Sequence, residues 1–229
     1  MTGFARSMLP ALLFLLVTPV STVSAAGEEA ARVEAAAEVL EKIQSIPESA
    51  VPPALLADAH GIAIIPGVIK VGLVVGGQYG RGVLSIRKDG GRWSNPVFVN
   101  LASGSIGWQI GAESADFVLV FKTARSVEGI LRGKYTLGAD ASVAAGPVGR
   151  SAKAATDIEM KAEIFAYSRS RGLFAGVSLA GSSMQVDRES NEAFYGGGGA
   201  RPADIVEGGG VKAPAVAEKL RTALETRIR

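Results

Sequence analysis

The sequence predicts an α+β protein: a curved, glycine-rich antiparallel sheet with short flanking helices. Three observations predict it. Apolar residues recur at helical spacing mainly near the two ends of the chain. From Gly61 onward the spacing drops to two, the period of strands. Glycine is unusually frequent, at 29 of 229 residues, nearly twice the share of about 7% in an average chain. Many of these glycines lie inside the strand-like runs, where they mark bulges, bends or the close approach of another backbone.

Taken in order, the elements begin with a helix over Glu28–Gln44, whose Val33, Ala37, Leu40 and Ile43 line one face before Pro47 ends it. Pro52-Pro53 opens a short helix through Ala59, closed by Gly61. Strands are expected at Ile62–Ile65, stopped by Pro66-Gly67, then at Val71–Gln78 and Gly82–Arg87. Asp89-Gly90-Gly91 is a hairpin turn leading into Arg92-Trp93. Val97–Leu101, Ser105–Ala112 and the wholly apolar Phe117–Phe121 follow as strands. Ser126–Arg132 reads as a helix with Ser126 as its candidate cap. Leu137–Ala145, Ala162–Ser168, Leu173–Leu179 and Met184–Val186 are strand-like, and Glu189–Tyr195 is a short helix.

Outside this region lie three segments. Residues 1–26 read as a secretory signal peptide: Arg6 gives a positive start, Leu9–Val20 (LPALLFLLVTPV) is too short to span a bilayer as a helix, and Val23 and Ala25 stand at cleavage spacing. The expected location is therefore periplasmic or secreted, and peripheral to the membrane. Residues 27–195 form the expected main domain, and 196–213 a Gly/Pro-rich linker bounded by two glycine runs. Residues 214–229 form an amphipathic helix with the stripe Val216, Leu220, Leu224 and Ile228, expected to be an accessory to the core.

Composition excludes several function classes. There is no cysteine and a single histidine, His60, so thiol catalysis, disulfides, thiolate zinc sites and most histidine metal sites are absent. His60, just before Gly61, suits a helix C-terminal cap. Gly77, Gly80 and Gly82 run in the reverse order of a dinucleotide fingerprint, and GILRGKY (Gly129–Tyr135) is a defective phosphate loop with tyrosine in place of the metal-binding hydroxyl. GVSLA (Gly176–Ala180) approaches a nucleophile elbow at Ser178, but that chemistry needs a histidine downstream and His60 lies upstream. No cofactor and no nucleic-acid partner are expected. An esterase at Ser178 is the weakest of the readings considered.

The residues themselves resemble the SYLF domain family. The resemblance is carried in order by AIIPGVIKVGLVVGGQYGRG (Ala63–Gly82), GSIGWQIG (Gly104–Gly111), LGADASVAAGPVGRSAKAATD (Leu137–Asp157) and IFAYSRSRGLFAGVSL (Ile164–Leu179). It covers the chain from about Glu28 to Tyr195. The family takes in yeast and animal proteins of actin patches and membrane ruffles, plant proteins that also carry a FYVE finger, and exported bacterial proteins. The resemblance implies a half-barrel-like α+β fold, with or without a small BON-like element. It also implies binding of phosphoinositide-type and other anionic lipid, actin binding in the yeast members, and no active site. Neither an SH3 domain nor a FYVE finger is present here, and actin is not an expected partner of an exported bacterial protein.

Charge is consistent with an anionic partner. Between Gly61 and Asn100 the basic residues are Lys70, Arg81, Arg87, Lys88 and Arg92, against Asp89 alone. Lys70, Arg81, Lys134, Arg150, Arg169 and Arg171 flank expected strand ends or turns, and are the candidate lipid-headgroup residues if they converge on one rim. The leading expectation is a non-enzymatic module binding an anionic phospholipid membrane. The alternative is an envelope structural or adaptor protein that docks protein partners on its sheet.

Overall fold

The computed structural model describes residues 25–43, 51–72, 75–106, 111–148, 161–170, 173–197 and 201–228. Its centre is four long antiparallel strands: β1 (Gly61–Gly72), β2 (Val75–Ile86), β3 (Val97–Ile106) and β4 (Gly111–Phe121). Short strands extend both sides: β5 (Tyr135–Thr136), β6 (Val143–Ala145), β7 (Ile164–Ser170), β8 (Leu173–Gly176) and β9 (Ser183–Val186). The order is β5-β9-β3-β2-β1-β4-β7-β6, with β8 also pairing β7. Every pairing is antiparallel except β6 with β7. The sheet is a strongly curved half-barrel, as the fold class required.

The central strands are longer than the sequence pattern suggests. Pro66-Gly67 does not end β1. It forms a bulge, with the β1–β4 register shifting between Ile65 and Val68. Gly67 takes φ +59° there, a left-handed value that a side chain resists, and its N–H donates to Asp116 Oδ1 at 3.0 Å. Gly80 does not break β2 either. A Cβ on Gly80 would lie 2.7 Å from the side chains of Ile65 and Val68. The glycine therefore lets the bulged strand pack closely against its neighbour. This is how Gly67 and Gly80 serve curvature.

Two cores lie on the two faces. On one, Ala63, Ile65, Val68, Phe117, Leu119 and Phe121 pack with α3 (Ala124–Arg132) and Tyr135. On the other, Ile62, Ile64, Val83, Phe98, Val118 and Phe165 are covered by helices. These are α1 (Ala25–Lys42), α2 (Pro53–Ala57), α4 (Arg188–Tyr195), α5 (Pro202–Glu207) and α6 (Ala215–Arg227).

Three local expectations are corrected. The cap of α3 is Thr123, whose hydroxyl accepts from the Ser126 N–H at 3.3 Å, while Ser126 is buried. His60 is no helix cap: its N–H donates to the Phe121 carbonyl at 2.7 Å and its carbonyl accepts from Arg87 at 2.8 Å, so it opens the sheet pairing. The C-terminal segment is not an accessory. Ala217, Leu220, Leu224 and Ile228 are buried against the helix-side core, and within the expected linker α5 buries Ile205 and Val206. Glycine runs leave a connection free only when nothing packs on either side of them. Here apolar burial fixes both flanks.

Candidate functional site

The β1–β2 hairpin has a covered half and a bare half. The bulge resets the alternation of β1, so that Ile69 and Val71 continue the face of Ile62 and Ile64 while Lys70 points to the opposite one. Ile69 pairs directly with Tyr79 across the hairpin. All three side chains are open to solvent: Ile69 is 55% exposed, Val71 58% and Tyr79 50%. Leu173, at the start of β8, is 57% exposed. Large apolar side chains grouped like this on a strand surface are an interaction feature rather than scattered exposure. Tyr79 also reaches Asn100 Oδ1 with its hydroxyl at 3.5 Å, so its ring carries a polar tip beside an apolar body.

Two residues along β2 the environment reverses. Arg81 donates to Glu28 Oε1 at 2.9 Å, to Ser190 Oγ at 2.9 Å and to Asp187 Oδ2 at 3.4 Å. Arg32 donates to Glu28 Oε1 and to Ser190 Oγ, each at 3.1 Å. Glu29 is buried beside both cations, 3.8 Å from each. This knot ties α1 and the start of α4 to β2. Burial alone would raise the Asp187 pKa. The Ser190 N–H and hydroxyl, then Arg81 and Arg32, outweigh it and hold the carboxyl below its ordinary range. Asn191 completes the attachment of α4, accepting from the Phe98 N–H at 3.0 Å.

The candidate headgroup residues therefore stand in different settings. Arg81 is committed to the knot. Arg169 pairs with Asp116 at 3.0 Å. Lys70 holds its ammonium 5.0 Å from the centre of the Phe117 ring, a cation–π contact, and sits across the strand from Glu113. Lys134 is exposed just beyond α3, on the far side of the sheet from β7. Arg150 and Arg171 lie outside the described residues. Lys70 and Arg169 occupy the same end of the sheet but opposite faces. The four described cations do not share one rim.

The sequence reading missed two features. The exposed trio was hidden because Ile69 and Val71 alternate with Lys70 as an ordinary half-buried strand would. The bulge that turns them outward depends on the φ of one glycine. Arg188 was passed over because a single arginine at a helix start carries no pattern. Its setting appears only when α3, β9 and α5 come together around it.

Residues 102–227 match the Ysc84 family, described as Las17-binding protein actin regulator. Protein YSC84 of Saccharomyces cerevisiae is 39% identical over 183 residues, covering 79% of this chain and 38% of the yeast protein. The SH3 domain-containing YSC84-like protein 1 of Xenopus laevis is 37% identical over 179 residues, covering 76% of this chain and 53% of its own. The human protein of the same name is 39% identical over 150 residues, covering 65% and 44%. The chain thus spans about half or less of the length of these relatives.

Proposed function

Because the chain belongs to the Ysc84 family of SYLF domains, we propose that it is a binding module without catalysis, working at the surface of an anionic phospholipid membrane. The observation that carries this reading is the bare half of the β1–β2 hairpin. Ile69, Val71 and Tyr79 present apolar area on the same face that helices cover over Ile62, Ile64 and Val83. Burying such area is worth roughly 25 cal/mol per Å², and tyrosine favours the boundary between lipid and water. Lys70, on the same strand but the opposite face, brings positive charge to that end of the sheet, and an anionic surface attracts such charge at about 1 kcal/mol per residue near the surface. By resemblance the headgroups are of the phosphoinositide type.

Sedimentation of the protein with vesicles tests this. Binding is expected to vesicles of phosphatidylcholine with phosphatidylglycerol, and to be weak with phosphatidylcholine alone. Raising salt from about 0.1 M towards 1 M shortens the screening length from about 10 Å to 3 Å and should remove the charged part of the attraction, leaving the apolar part. Equal, negligible sedimentation with both vesicle types would overturn the reading.

The second reading is a protein-docking role for the same patch. It is favoured by the relatives' printed names, which describe an actin regulator and LAS seventeen-binding proteins. We further propose an exported location, on the Leu9–Val20 run and the cleavage spacing of Val23 and Ala25. An exported chain makes actin an improbable partner. Intact mass of the protein from the expressing cell should correspond to a start at Ala26 or Gly27; a mass that retains Leu9–Val20 removes this proposal.

A further inference from the structure

We propose that a pocket between the end of α3 and the start of α4 binds a phosphate-bearing anion. The pocket encloses about 250 Å³. Its walls come from Leu131 and Gly133 at the end of α3, from Gln185 and Val186 on β9, and from Pro202 at the start of α5. Among the described residues its charged side chains are Lys134 and Arg188, and no carboxylate lines it. The pairing of β5 with β9 brings them together. Tyr135 lies opposite Met184, which sets Lys134 beside Gln185, and Arg188 follows two residues after Val186.

These two cations differ from their neighbours. Arg132 is held by Glu128 at 2.6 Å, and Arg201 by both oxygens of Asp204 at 2.8 and 2.9 Å. Lys134 and Arg188 have no carboxylate within 4.0 Å among the described residues. The nearby acids Glu128 and Asp204 are taken up by the other two arginines, and Glu192 stands in the adjoining groove rather than in the pocket. An arginine fork and a lysine point charge facing one small cavity suit the oxygens of a phosphate.

The pocket also has an exit. Leu131, Arg188 and Pro202 are shared with a wider groove of about 690 Å³ that continues past Ala203. That volume is within the range of small-molecule sites. A phosphate in the pocket would leave the rest of its ligand in this groove, against Leu131 and Pro202. The chemistry is that of a phosphate ester, either a lipid headgroup or a soluble metabolite. Two strands, β3 and β2, separate β9 from β1, so this site stands whether or not the hairpin patch meets a membrane.

Amide shifts of the full chain test it, in titrations with inorganic phosphate, glycerol 1-phosphate and dihexanoyl phosphatidic acid below its micelle concentration. Saturable shifts are expected at Gly133–Tyr135 and Gln185–Glu189. Lys134→Glu and Arg188→Glu should each weaken binding at least tenfold with an unchanged melting temperature, whereas Lys219→Glu on α6 should not. At least tenfold tighter binding of the short-chain lipid than of glycerol phosphate, with shifts spreading to Leu131 and Ala203, identifies a lipid ligand. Equal affinities identify a soluble ester. The proposal is overturned if no phosphorylated probe gives saturable shifts in the pocket, or if the reversed-charge variants bind as the parent does. If the pocket stays silent while the protein sediments with anionic vesicles, this site fails and the membrane reading stands. The opposite pair of results has the opposite meaning.

Discussion

The two halves of the β1–β2 hairpin are built from the same kinds of residue and end in opposite states. In the half near Gly61, Ile62, Ile64 and Val83 lie under α1 and its neighbours, and Arg81 is saturated with acidic partners. In the half near Gly72, Ile69, Val71 and Tyr79 share one face, and among the described residues no helix covers them. Among the described residues the difference follows the reach of the helical cover. The first described turn of α1 meets β2 at Arg81, which Glu28 and Glu29 hold. Apolar residues thus serve stability on one side of that knot and are available for contact on the other. Residues that hold the cover in place are therefore distinct from residues the cover leaves out.

The sharpest way to break the comparison is to remove part of the cover. Deleting Val211–Arg229 takes Leu220, Leu224 and Ile228 out of the helix-side core. Each is worth about 1.5–3 kcal/mol on full burial, against a total stability of about 5–15 kcal/mol for a domain. The melting temperature should fall by more than about 10 °C, at about 2–4 °C per kcal/mol for a chain of this size, or the cooperative transition should vanish. A scanning calorimetry trace within a few degrees of the parent would show that α6 is dispensable to the core.

The next effect is at the knot itself. Arg81→Ala leaves Glu29 and Asp187 facing each other with Arg32 alone between them. Breaking one partner of a buried network costs about 3–5 kcal/mol. Arg81 is partly open to water, so about 2 kcal/mol is the expected loss in a urea melt. Asp187 gives the same region a pH dependence. Its carboxyl pKa is lower folded than the ordinary value of about 3.9. The stability it contributes is therefore complete above that value and is lost as pH falls through the lower, folded one. Asp187→Asn should flatten the part of the acid-unfolding curve below about pH 4. An unchanged curve would mean that Asp187 contributes nothing to acid sensitivity.

What could be read in the sequence divides along the same line. Period-two runs and helical stripes placed most elements, because each depends on neighbours a few residues apart, but α5 fell within the expected linker and the expected strand Ser105–Ala112 is divided between the end of β3 and the start of β4. The stripe of α6 was legible, but what it packs on was not: the two glycine runs that precede it say nothing about an apolar surface on α1, almost two hundred residues earlier. The basic residues show the same limit. Counting Arg81 and Arg169 as available charge ignores Glu28, Asp187 and Asp116, which reach them only through strand register and helix placement. Lys134 was chosen on its local turn, and Arg188, which shares its pocket, follows a different strand. Sequence gives the charge of a side chain; whether that charge is spent depends on contacts across the fold.

The smallest expected effect on stability falls on the bare half, and it is the most informative for function. Ile69→Ser, Val71→Ser and Tyr79→Ser together remove the exposed apolar area without opening a cavity, since each side chain is about half in water already. Surface changes of this kind usually stay within about 0.5 kcal/mol each, with some further loss where serine replaces β-branched and aromatic residues in strands. The urea midpoint should move little. Vesicle sedimentation should fall several-fold, and most at high salt, where screening has removed the charged attraction and only apolar contact remains. The matched change on the covered half, Ile64→Ser, should do the reverse and cost about 2–5 kcal/mol, as buried large-to-small changes do. If the triple variant unfolds like Ile64→Ser, the exposed trio is structural. If it stays folded and sediments as before, the hairpin end is not where the membrane is met, and the docking role passes to another surface of the domain.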